Sequence, residues 1–159
     1  MRRMPPALPS SDLGHLAEDI RRLFDDLDRT MGGSSGYSSS ECTPPLDVLE
    51  TDRALEVRMD VPGVSPDSLR VVFKHGVLII AGAKASAAGT LPGSTTFHLV
   101  EREFGRFARA VRLNGAVDVV QARATLAQGE LRVVVPKMAD RRGQEVRIPI
   151  ESGPTEPGA

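Results

Sequence analysis

Residues 54–61 read Ala-Leu-Glu-Val-Arg-Met-Asp-Val, with Leu55, Val57, Met59 and Val61 alternating with Glu56, Arg58 and Asp60. A β-strand turns successive side chains to opposite faces, so this period of two describes a strand with one face in a core and one in water. Pro62-Gly63 ends it, and Ser65-Pro66-Asp67 makes a second turn. Leu69, Val71 and Phe73 alternate next; His75-Gly76 then turns the chain into Val77-Leu78-Ile79-Ile80, an apolar run fit for burial on both faces. Upstream, Leu46 and Val48 make a short first strand after Pro44-Pro45. Downstream, strands are expected at Phe97-His98-Leu99-Val100, from Phe104 to Leu113, through Ala122, Ala124 and Leu126, and, after a Gln128-Gly129 turn, through Leu131, Val133 and Val135. Seven or eight short strands with no helical pattern among them predict an all-β, antiparallel β-sandwich. The loop Ala83–Thr96 is long enough to need a reason.

Before the strands, Leu13, Leu16, Ile20, Leu23, Phe24, Leu27 and Met31 recur at three- and four-residue steps, which predicts an amphipathic helix over about 12–31. Its apolar stripe either packs on its own domain or is offered to other chains. The Gly/Ser-rich tether at 32–41 favours the second, because such a composition buries too little to offset its chain entropy. After the strands, residues 139–159 are polar except for Ile148-Pro149-Ile150. In an extended chain both isoleucines face one side, and Pro149 stiffens the segment. That is either a last edge strand or, as the pattern favours, a two-knob apolar plug for a groove on another surface. The chain thus divides into an arm at 1–42, a sandwich at 43–138 and an extension at 139–159.

Charge and composition exclude several functions. In 159 residues, 20 basic side chains face 21 acidic ones, so nucleic acid is not expected as a partner. No run of 18 apolar residues spans a membrane, and the basic start MRRMPPALP lacks the apolar stretch of a signal peptide. With Cys42 as sole cysteine, these features fit a reducing cytoplasm. His15, His75 and His98 stand apart, away from metal-ligand spacing, and Cys42 follows a serine run without an activating motif. No catalytic residue, cofactor site or metal site is expected.

Several stretches, in order, resemble the alpha-crystallin domain of small heat shock proteins of the bacterial type. They are Pro45–Glu50, Asp60-Val61-Pro62-Gly63-Val64, Val77–Gly82, Glu101–Arg109 with its Gly-x-Phe-x-Arg core, Ala124–Leu131 as A-x-x-x-x-G-x-L, and Val135-Pro136-Lys137. Ile148-Pro149-Ile150 matches the family's I-x-I tail. Gly82-Ala83-Lys84 departs from the usual Gly-Glu-Arg, and Asn114 stands where a Pro is common.

The resemblance implies an immunoglobulin-like sandwich acting as an ATP-independent holdase in a stress response. Its partners would be unfolding client proteins and itself, as a dimer assembling into a larger homo-oligomer. Ile148 and Ile150 would dock in a groove made by Leu69, Val71 and Phe73 with Ala124 and Leu126. Arg109 would lie at the dimer interface rather than on a solvated face. The helical stripe would contact clients, and the loop after Ala83 lies where relatives carry a strand that crosses to the partner. The alternative is a monomeric sandwich acting as a co-chaperone or adaptor module.

Overall fold

The computed structural model describes residues 10–31, 42–139 and 147–149. A 21-residue helix, α1 (Ser10–Thr30), precedes seven strands: β1 (Leu46–Glu50), β2 (Ala54–Asp60), β3 (Leu69–Lys74), β4 (Val77–Lys84), β5 (Gly105–Arg112), β6 (Arg123–Ala127) and β7 (Glu130–Pro136). They form two antiparallel sheets, ordered β1-β2-β7-β6 and β3-β4-β5. The tether, residues 140–146 and Ile150 lie outside the described residues.

The alternating strands close over one core. Leu55, Val57 and Met59 from β2 pack with Leu131, Val133 and Val135 from β7, against Leu78 and Ile80 from β4 and Phe107 and Val111 from β5. Each fully buried aliphatic side chain of this kind contributes about 1.5–3 kcal/mol. Two hairpins have two-residue turns whose central residues both take positive φ, as a type I′ turn requires: His75 (50°) with Gly76 (77°), and Gln128 (51°) with Gly129 (78°). Gly82 is needed for space, since a Cβ there would collide with the Phe107 ring and come within 2.9 Å of Leu69 Cδ2.

Residues 97–100, expected as a strand, are not one. They run as an exposed segment, because a strand needs a neighbour for its N–H and C=O groups and the described residues of this chain give them none.

On the outer face of the larger sheet, Arg58 and Arg132 are cross-strand neighbours, an arrangement that repels. Glu56 resolves it. Its carboxylate accepts from Arg132 Nε at 2.7 Å and Nη2 at 2.8 Å, and from Arg58 Nε at 2.6 Å. The hydrogen bonds from Arg132, then those from Arg58, pull its pKa from the ordinary 4.5 down to about 2. A depressed carboxyl pKa stabilises the fold fully above the unfolded value, and the contribution is lost as pH falls through the folded one. The stability advantage of wild type over Glu56→Gln, read from urea midpoints, is therefore expected to shrink between pH 4.5 and 2. An advantage that stays constant across that window would refute the assignment.

Candidate functional site

β4 has apolar or small residues on both sides of its pleat. Leu78 and Ile80 point into the sandwich, while Val77, Ile79, Ala81 and Ala83 point outward and are also buried. The register puts Arg70, Val72 and Lys74 of β3 and Arg106, Ala108, Ala110 and Arg112 of β5 on the same outer face. The result is an apolar floor edged by basic side chains, and α1 lies on it.

The helix meets this floor with the stripe that its sequence marks out. Leu27 is 2% exposed, Leu16, Ile20, Leu23, Phe24 and Met31 are half-buried, and Leu13 is exposed. Carboxylates flank the stripe and reach the basic edge. Lys74 Nζ donates to Asp19 Oδ1 at 2.7 Å, Arg70 Nε to Asp26 Oδ2 at 2.6 Å, and Arg106 Nη2 to both Asp28 oxygens at 2.8 and 2.6 Å. The lysine hydrogen bond holds the Asp19 carboxyl below its ordinary range. Arg70 Nη2 also donates to Thr30 Oγ1 at 2.7 Å, and the Arg106 guanidinium lies 5.6 Å from the Phe24 ring centre. The sequence favoured a helix offered to other chains; in this structure the stripe faces the chain's own sheet. The reason is β4, whose outward residues would otherwise be wet.

The expected groove residues lie on two sheet edges. Cys42 N donates to Arg106 O at 3.2 Å and Arg109 Nη1 to Pro44 O at 2.6 Å, so β5 sits over the β1 side of the sandwich and β3 over the β6 side. Leu69 is buried, while Val71, Phe73 and Leu126 are half-buried against the core; Ala124 is exposed. Ile148 is 81% exposed and Pro149 is exposed beside it.

Arg109 is half-buried on the inner side of edge strand β5, where it ties that strand to the segment before β1. Arg106 and Arg112 point the other way, toward the helix-bearing face. The loop after β4 presents Phe97, Leu99 and Val100 at 59%, 73% and 70% exposure. All three fall in the stretch expected as a strand.

Cys42 is buried with Sγ 3.9 Å from Gly105 O, and burial pushes its thiol pKa up. His15 and His75 line a small cavity with Asp19 and Lys74, beneath which lie Val77 and Ile79. Among the described residues no group of His, Cys, Asp or Glu could hold a metal ion, and no helix is long and apolar enough to cross a membrane.

Comparison with known proteins agrees with this architecture. Residues 47–151 match the Hsp20/alpha crystallin family. The 16.0 kDa peroxisomal heat shock protein of Oryza sativa is 36% identical over 64% of this chain and 73% of its own length. The 21.9 kDa heat shock protein of the same organism is 31% identical over 91% of this chain and 77% of its own. Among solved structures, a small heat-shock protein from Xylella fastidiosa superposes with a TM-score of 0.60 at 26% identity, covering 70% of this chain and 98% of that one.

The helix contact gives a direct expectation. Leu27→Ser places a hydroxyl where the stripe is most buried, and hydrogen exchange across α1 should speed up by about tenfold or more as the helix lifts. A helix as protected as in wild type would show that the apolar stripe is not what holds it.

Proposed function

The chain belongs to the Hsp20/alpha crystallin family, a family of chaperones rather than enzymes, and from that premise we propose that it is an ATP-independent holdase that keeps unfolding proteins soluble under stress. The observation that carries the reading is where large apolar side chains stay wet. Phe97, Leu99, Val100 and Ile148 are 59–81% exposed, all outside a sandwich whose own core is filled. A protein that binds only one small ligand has no use for apolar surface on a long loop and a tail at once.

In this reading the arm at 1–42 carries the client-binding stripe Leu13, Leu16, Ile20, Leu23, Phe24, Leu27 and Met31. The sandwich at 43–138 is the scaffold, and the extension at 139–159 is the link between copies. Since the stripe lies against the chain's own sheet, client binding by it requires α1 to lift away. Ile148 and Ile150 dock between β3 and β6 of another copy, against Leu69, Val71, Phe73, Ala124 and Leu126. Burying two isoleucines yields about 3–5 kcal/mol gross, and ordering and association costs leave a weak link. Weak links repeated around an assembly let subunits exchange. Arg109 stands at edge strand β5, a position that suits a dimer contact, and residues 97–100 have the exposed apolar character of a strand awaiting the edge of a partner. The sole cysteine, buried and free, suits a reducing cytoplasm.

Two measurements check this. Aggregation of a heated, thermally labile client, followed by light scattering without ATP, should fall in proportion to added protein. No suppression at an equimolar ratio, with this protein still folded, would sink the holdase reading and favour a monomeric adaptor. Replacing Ile148 and Ile150 together by Ala should shift the mass of the assembly towards dimers, and an unchanged mass would show that the tail is not the link.

A further inference from the structure

We propose that the outer face of the β3-β4-β5 sheet is a client site in its own right, held in reserve beneath α1. Its ligand is an amphipathic helix that carries carboxylates along the flanks of an apolar stripe. The role for clients rests on the holdase reading above; the capacity of the face to take such a helix in trans does not.

The outer face of a solvated antiparallel sheet is ordinarily polar. Here its centre is Val77, Ile79, Ala81 and Ala83, all buried. The two alanines, with Ala108 beside Ala81 in the register, keep the floor low enough for a helix to approach closely. The charges form a frame. Lys74 and Arg70 on β3 take Asp19 and Asp26, while Arg106 on β5 takes Asp28, so the helix is gripped from both sides. What this frame recognises is a pattern: an apolar ridge with two carboxylates about two turns apart on one flank and a third on the other. Any helix with that pattern meets the same floor and the same cations.

Two of the three ion pairs that hold the resident helix are open to solvent, while the Asp19 side chain of the third is 16% exposed. The acidic partners Asp26 and Asp28 have side chains 53% and 40% exposed, and ion pairs so open to solvent are weak and screened by salt. Of the described stripe residues only Leu27 is fully covered. Unfolding proteins retain fluctuating helices with exposed apolar faces, and such a segment competes with α1 for the face once α1 lifts. Release of the helix then uncovers two complementary surfaces, the stripe and the floor.

The probe is a fluorescent peptide with the sequence of residues 10–30. It is titrated by anisotropy into the full chain, and into the full chain carrying Asp19→Asn, Asp26→Asn and Asp28→Asn. Because those substitutions remove the resident helix's half of the ion pairs, the variant should bind the peptide about tenfold or more tightly than wild type, as expected when a larger fraction of molecules has the face open. Adding Arg70→Glu and Arg106→Glu should abolish binding, and a peptide with Asp26→Lys and Asp28→Lys should restore it. That rescue separates loss of the frame from loss of the fold. Equal affinity for wild type and the triple variant, or binding indifferent to Arg70→Glu and Arg106→Glu, overturns the proposal. So does a peptide that binds neither wild type nor the triple variant. The holdase reading is judged separately by the light-scattering assay, which can succeed while the peptide fails to bind.

Discussion

β4 has no side that tolerates water. Leu78 and Ile80 require a sheet on one side of it, and Val77, Ile79, Ala81 and Ala83 require a second cover on the other. The sandwich supplies the first through β2 and β7, and α1 supplies the second. Much else follows from this double demand. Gly82 must lack a side chain so that Phe107 and Leu69 can close over the strand. The cations at the ends of the neighbouring strands meet carboxylates because a helix has been brought to them. A strand buried on both faces is usual in parallel sheets clothed with helices; in this antiparallel sandwich it makes a three-layer region out of a two-layer fold.

The margins of the molecule follow a different logic. Among the described residues, the two open sheets leave β1, β6 and β3 with one side that no strand pairs, and the open side of β5 takes Cys42 N–H at Arg106 O. Such edges invite pairing with other chains. The chain also keeps apolar side chains exposed, at Phe97, Leu99 and Val100 in the loop and at Ile148 in the tail. Arg109 braces one edge from within by bonding to Pro44 O. A family whose members are chaperones has reason to keep such edges available rather than blunted.

The strands were legible in the sequence because alternation is a local signal. Leu55, Val57 and Met59 declare an inner face without reference to anything distant, and β2 holds all three in the core. The tight turns at His75-Gly76 and Gln128-Gly129 were legible for the same reason. The helix itself was readable from its period, but its resting place was not. An apolar stripe has the same spacing whichever surface it meets, and Asp19, Asp26 and Asp28 look like solvated charges until Lys74, Arg70 and Arg106 arrive from 44 to 78 residues away. The double-sided apolar run of β4 held the clue, since it demanded a cover that the sandwich could not supply. Residues 97–100 failed in the opposite sense. Their β-forming side chains read as a strand, yet pairing is a property of two segments and the described chain offers only one. The tail pattern was plain in the letters, and Ile148 stands exposed, but a plug is defined by its socket.

Cys42 sits where the chain enters the sandwich, buried, hydrogen-bonded towards Gly105 O and with its thiol disfavoured from ionising. The thiolate is the species that oxidants and alkylating agents attack. Burial and the raised thiol pKa therefore slow its reaction while the entry segment stays seated, and reaction speeds as that segment leaves β5. Heat and oxidant thus act on this chain together at the entry to the sandwich, because the same loosening that frees the segment also frees the thiol.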